Sequence, residues 1–523
     1  MAQSVLPMPV TLASLSENER SERFACLQKK LLAVWAAIAT TGEKSIVVVP
    51  SREVRVFDEP PTESQAYEER LLFLLLLLRD PRLRVIYVTS QPISESIVDY
   101  HLGLLENVTP ADARARLFLV PIRDGSRRPL TAKLLDRPRL LARIRALIPA
   151  PDCCHLVPYT TTPLERDLAL VLGIPMYGAD PRHRHFGTKS GARRLFKAAG
   201  VLHPLGEENV SSGGAAVQAL MRLRAARPGL EQAMLKLNDG VGGKGNAVID
   251  LRDLPAPGTP EQERALGERV GRMSLDGEAI DSSAFLAELE QHGGVVEERI
   301  AGWGFRSPSV QMRITPAGVV ELLSTHDQVL GGESAQKYEG CCFPADSAYA
   351  GLISREAAKV GQILARKGVV GRFALDFVVV RRATGWAAYA IEVNLRKGGT
   401  THPFLTLKFL TDGTYDPDAC SFTAADGAEK FFIATDHLQS DSFRGLTLED
   451  LFEALAAHGL QFDHRSQTGV VFHMLSGLTE LGQIGLTAVG NSRQEAESIY
   501  DHATRVLIAE AESAAAPALV AAA

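Results

Sequence analysis

Two apolar strings carry three oxygen-bearing side chains. The string Phe373-Ala374-Leu375-Asp376-Phe377-Val378-Val379-Val380 has one carboxylate, and Ala388-Tyr389-Ala390-Ile391-Glu392-Val393-Asn394 ends in two polar residues. The link between them, Arg381 to Trp386, contains Thr384-Gly385 and reads as a hairpin turn. Residues two apart on a strand share a face, so Glu392 and Asn394 point the same way and Asp376 joins them from the paired strand. Three hard oxygen donors are what Mg²⁺ takes when it bridges phosphates. A lone acid in an apolar strand is ordinarily an edge residue. Three such groups converging without a cation would cost several kcal/mol if dry.

A second stretch, Ala233 to Ile249, reads strand, glycine-rich turn, strand. Gly240, Gly242, Gly243 and Gly245 surround Lys244 and let backbone N–H groups come close to phosphate oxygens. Lys236 lies inside the first strand, where an ammonium needs an anionic partner. No helix opening on G-K-[ST] follows, so this is not a Walker A loop. Further on, Val295 to Gly302 reads as a strand running into a turn. Its backbone suits an adenine edge, with Ile300 as donor and an acid, Glu297 or Glu298, accepting from the amino group.

The elements that must hold these residues follow from periodicity. Leu27, Leu31, Leu32 and Trp35 recur at helical spacing in an N-terminal extension, residues 1–42. From 43 to 180, Ile46–Val49, Val85–Thr89, Leu117–Pro121 and His155–Pro158 are short apolar runs separated by helical stretches, which predicts βαβ units and a parallel sheet. The eight apolar residues from Leu71 to Leu78 fall short of the ~20 a membrane span needs, and Arg70 and Arg79 bound them. They read as a helix buried on nearly all sides. A helix over about 188–199 ends at Gly200. A domain boundary is expected near 180 and another near 425. A small C-terminal α+β domain, 426–512, has strands at Phe431–Ala434 and Val470–Met474, a helix opening on a Thr447/Asp450 capping box and another over 492–510. The alanine-rich 513–523 reads as a frayed tail.

Composition narrows the class. The 523 residues are 46% hydrophobic and 23% charged, with a formal net charge of −6. That is globular composition, without the basic surplus of a nucleic-acid partner. Met1 to Asn18 lacks the basic-then-apolar pattern of a secretory signal. The six cysteines include the adjacent pairs Cys153-Cys154 and Cys341-Cys342, which form neither a C-x-x-C zinc pattern nor a disulfide framework. A cytoplasmic protein, bound to neither membrane nor nucleic acid, is expected.

These pieces, in this order, resemble the ATP-grasp superfamily over roughly 182–425. The resemblance implies an ATP-grasp fold behind an N-terminal parallel-sheet domain. It implies that Lys189, heading a helix before Gly200-Val201-Leu202-His203-Pro204, and Lys236 contact nucleotide phosphates. Gly240 to Gly245, Lys244 included, would form a flap over them. Glu297, Glu298 and Ile300 would form the adenine hinge, and Asp376, Glu392 and Asn394 would hold two Mg²⁺ ions, with Mn²⁺ able to substitute. The string Ile391 to Pro403 looks closest to the pheganomycin-type peptide ligases. For that branch the expected reaction joins a carboxylate to an amine or peptide through an acyl-phosphate. Arg396 is the first candidate for the oxyanion, Arg313 the second, and Lys397 a contributor. The family's acid past the hinge is missing between Trp303 and Val310, which leaves Ser307 or Ser309 for the ribose. A homodimer, an amino-acid oligomerising ligase, a ligase for a non-peptide acid and a non-catalytic nucleotide-binding regulator are the remaining readings.

Overall fold

The computed structural model describes residues 12–40, 43–52, 62–241, 244–275, 281–331 and 337–515. Its N-terminal sheet is parallel, as the alternation of strands and helices requires. The strands β1 (Lys44–Val49), β2 (Leu83–Thr89), β3 (Leu117–Pro121) and β4 (Cys154–Pro158) lie in the order β3-β2-β1-β4. The order reverses beside β1, so the carboxyl ends of β1 and β4 flank the crevice where open α/β sheets take ligands.

The apolar run 71–78 lies inside a 3-10 helix, Glu69–Arg79. Leu72, Leu75 and Leu78 are fully buried, each worth roughly 1.5–3 kcal/mol. The run lacks a polar face because one shared core surrounds it. Ile46 and Val48 of the N-terminal sheet lie in that core, and so do Phe404, Phe432 and Leu486 from the far end of the chain.

A second sheet contains β5 (Gly206–Val210), β6 (Gln232–Val241), β7 (Lys244–Asp250), β8 (Ser274–Leu275) and β9 (Gly294–Glu298), ordered β5-β9-β6-β7-β8. β6 and β7 form the glycine hairpin; Gly242 and Gly243 at its tip lie outside the described residues.

The third sheet is antiparallel. It begins with β10 (Pro308–Ile314), β11 (Val320–Gly331), β12 (Lys337–Phe343), β13 (Gly371–Arg382) and β14 (Gly385–Asn394). A small separate hairpin follows, β15 (Thr414–Asp416) with β16 (Ser421–Thr423). The chain then returns to the third sheet with β17 (Phe431–Gln439), β18 (Gly469–His473) and β19 (Gln483–Gly490). The order is β14-β13-β10-β11-β12-β17-β19-β18, so the C-terminal strands extend the site-bearing sheet across the boundary expected near 425. The capping box at Thr447 and Asp450 is present, and the last helix runs Arg493–Ala515. One face of the third sheet buries Val310, Met312, Phe373 and Leu375. The other face carries Ser309, Gln311 and Arg313 opposite Asp376, Ala374 and Arg372.

The N-terminal domain approaches this sheet at Gly371. Its φ of +110° is open to glycine, and a Cβ there would sit 2.8 Å from the Cα of Gly178. Gly371→Ala should therefore lower unfolding stability by on the order of 2–4 kcal/mol, measured by the urea midpoint.

Candidate active site

The hairpin of β13 and β14 places Asp376 directly opposite Glu392, and Ala374 opposite Asn394. A bulge follows Asp376, and the Nδ2 of Asn394 donates to Asp376 Oδ2 at 2.9 Å. A residue that sequence reasoning missed completes the group: Gln328 of β11 donates through Nε2 to Asp376 Oδ1 at 3.0 Å. Nothing in the pattern of β11 marks it. Burial, and then the facing Glu392, push the Asp376 carboxyl up to about 6. Facing carboxylates of this kind fit a divalent cation between them, with Asn394 supplying a neutral oxygen.

Lys189 approaches from the side. It is the first residue of the helix Lys189–Ala199, whose N-cap Thr188 accepts from the N–H of Gly191. The helix start is pinned to the glycine hairpin, because the N–H of Ser190 donates to Asn238 Oδ1 at 3.0 Å. The Nζ of Lys189 lies 2.7 Å from Glu392 Oε1.

Lys236 finds its anion within the fold. Its Nζ lies 2.5 Å from Glu297 Oε1, and Arg193 Nη1 donates to Glu297 Oε2 at 2.9 Å. Arg193 was also missed, although it stands four residues after Lys189 and so on the same helix face. Each oxygen of Glu297 thus has a partner within the fold, which the hinge expectation did not include. Glu298 Oε1 accepts from the N–H of Leu205 at 2.9 Å, so it too serves the fold. Ile300 follows β9, and its N–H makes no backbone bond among the described residues.

The three basic candidates fall in different places. Arg396 Nη1 donates to the Lys397 carbonyl at 3.0 Å, and its charge lowers the carboxyl of Asp376. The loop after it is held by Gln311, whose Nε2 donates to Thr400 Oγ1 at 2.5 Å. Gly399 leaves room for Tyr338, whose ring would lie 2.6 Å from a Cβ there. Lys397 turns its buried ammonium to the carbonyl of Pro158, at the carboxyl end of β4. Burial and then Arg372 push it down to about 7. Arg313 sits four residues along β10 from Ser309, about 13 Å from Asp376 at ~3.3 Å per residue. Its Nε is bonded to Glu321 at 2.5 Å. Neither Lys397 nor Arg313 is thus placed at the oxyanion position expected of it.

Comparison with known proteins agrees with this architecture. Residues 182–272 and 281–418 match the family described as IQCH-like, ATP-grasp, and residues 450–503 match the PGM1 C-terminal domain. The L-propargylglycine–L-glutamate ligase of Streptantibioticus cattleyicolor is 30% identical over 461 residues, covering 87% of this chain and 91% of that protein. The chain belongs to the ATP-grasp ligase family. IQ motif-containing protein H of Danio rerio is 25% identical over 516 residues, of which this chain spans 48% of the length. The biotin carboxylase domain of Hydrogenobacter thermophilus 2-oxoglutarate carboxylase, solved with MgADP, shares the fold. Its TM-score is 0.54 at 12% identity, over 89% of this chain and 90% of that one. No helix among the described residues is long and apolar enough to cross a membrane.

Removing one partner from a buried ion pair strands the other charges, so Glu297→Gln should cost on the order of 3–5 kcal/mol at neutral pH. Burial would raise this carboxyl, but Lys236 and Arg193 outweigh it and hold it below the ordinary value. Its contribution is in place above the unfolded carboxylate value and fades as pH falls through the lower folded value. Urea unfolding of wild type and variant should show the gap closing in acid.

Proposed function

We propose that the chain condenses the carboxylate of an amino acid or related acid with the amine of an amino acid or peptide, consuming ATP. The observation that carries this reading is the convergence of Asp376, Glu392 and Asn394 on one sheet face, beside Lys189. Two Mg²⁺ ions held by these three residues, with Mn²⁺ able to substitute, would neutralise the β- and γ-phosphates of ATP. The side chain of Lys189 would exchange Glu392 for a phosphate oxygen. Lys236 would add positive charge from beneath the glycine hairpin, and the free N–H of Ile300 would meet the adenine.

A substrate carboxylate oxygen forms a bond to the γ-phosphorus, and the bond to the ADP oxygen breaks. The amine nitrogen then bonds to the acyl carbon and loses a proton, and inorganic phosphate leaves. The oxyanion of that second step falls to Arg396, the guanidinium whose charge acts on Asp376. Closure of the hairpin excludes the water that would hydrolyse the intermediate. The relative's name joins two amino acids, which supports the substrate class. The described cysteines are all free thiols, which supports a cytoplasmic setting.

Incubation with ATP, Mg²⁺ and pools of amino acids and peptides should yield ADP and a dehydrated conjugate by mass spectrometry. Asp376→Asn and Glu392→Gln should each lower turnover by on the order of 10³-fold while leaving the circular dichroism unchanged. ADP release without any amide, or full activity in both variants, would overturn the reading.

A further inference from the structure

On the substrate-facing side of the third sheet, a second polar row lies beyond the metal carboxylates. Across β11, β10 and β13 it reads Glu321, Arg313, Arg372. Two arginines directly opposite one another on neighbouring strands repel. Glu321 pairs directly with the first of them, its Oε2 lying 2.5 Å from Arg313 Nε, and reaches the second only through its charge. Arg372 makes no ion pair with a carboxylate among the described residues. Lys397 and Lys408 add positive charge, and the acid on the Lys408 side, Asp412, is itself paired with Arg79. Burial, and then the neighbouring Arg313, push Arg372 down to about 10, with Tyr177 and Glu321 offsetting part of the effect.

The N-terminal domain roofs this row with Trp35, Tyr177 and His155. The guanidinium of Arg313 lies 6.0 Å from the Trp35 ring centre, and the Trp35 and Tyr177 rings are 4.8 Å apart. Tyr177 and His155 are each only 8% exposed. Among the described residues the His155 Nδ1 has no hydrogen-bond partner, and the Tyr177 hydroxyl, which faces the charges of Arg372 and Arg313, meets no carboxylate or carbonyl. Buried polar atoms left open beside surplus positive charge mark a place made for an anion. Arg313 is 28% exposed on its side chain, so the row is not sealed.

The row stands about 13 Å from Asp376 on the same face, at ~3.3 Å per residue. Gln311 and the Arg396 loop lie between. That distance leaves room for a γ-phosphate, a reacting carbonyl and the length of an amino acid. We propose that Arg372, Arg313 and the Tyr177 hydroxyl bind the non-reacting carboxylate of a substrate, so that the enzyme selects an acidic amino acid. The planar guanidinium forks suit a carboxylate held through paired N–H donors. This inference rests on the ligase reading and narrows its substrate class. Arg313 thereby gains a binding role in place of the oxyanion role.

The test is calorimetry on the full-length protein with Mg²⁺ and a non-hydrolysable ATP analogue, titrated with L-glutamate, L-glutamine and L-isoglutamine. The carboxylate that the site holds can be the side-chain or the α-carboxylate, and the two amides separate those sources. Wild type should bind glutamate at least about tenfold more tightly than one of the amides. Arg372→Gln should erase that preference, and Tyr177→Phe should weaken glutamate binding by about threefold or more. In the absence of ligand, Arg372→Gln should unfold at the same or a higher urea concentration than wild type, because it relieves repulsion; a merely structural arginine would destabilise on removal. Equal binding of all three probes, no binding of any, or an unchanged preference in Arg372→Gln would overturn the subsite. Loss of nucleotide binding in wild type would instead overturn the ligase reading, and the analogue's own titration separates the two.

Discussion

Two carboxylates facing each other across an antiparallel pair of strands set the terms for everything around them. Asp376 and Glu392 repel, and burial sharpens the repulsion because little water remains to screen it. The fold surrounds them with partners of moderate strength. Gln328 and Asn394 supply neutral donors, and Lys189 supplies a positive charge. None of these locks the pair as Glu297 is locked by Lys236 and Arg193. One charged group is thus satisfied by protein alone, and the other is left open for a cation and a triphosphate.

The contrast between these two groups shows how charge is distributed across the candidate site. Lys236 is anchored from below by a carboxylate that never leaves, so it presents a fixed ammonium. Lys189 rests on a carboxylate that the metal would claim, so its position depends on what is bound. The start of its helix is tied to Asn238 in the glycine hairpin, which links the lysine to that segment. The shared core around Leu71 to Leu78 holds the N-terminal domain in place over the far end of the same sheet.

Much of this was legible in the sequence because it depends on local periodicity. The four parallel strands, the β13–β14 hairpin and the helix beginning at Lys189 follow from apolar spacing and capping residues alone. The meeting of Asp376, Glu392 and Asn394 was legible because alternation fixes which side chains share a face. What stayed hidden depends on register between distant segments. Gln328 lies 48 residues before Asp376 in the chain, and no pattern in β11 distinguishes it. The true partners of Glu297 and Glu298 were hidden for the same reason: a Glu-Glu-Arg string says nothing about whether Arg193 or Leu205 will fill its oxygens. Arg313 was given the wrong neighbourhood because chain order does not reveal how far along a strand a residue lies from the chemistry.

The eight-stranded sheet has a consequence for how the molecule comes apart. β12 donates and accepts along one side with β11 and along the other with β17, so the last hundred residues supply half of an interior strand's ladder. Cutting the chain after the small β15–β16 hairpin would bare a row of main-chain amides on β12, a template for pairing with foreign strands. The catalytic sheet and the tail should therefore exchange their amide protons as one cooperative unit, and a protease nick between them would not release two independently folded pieces.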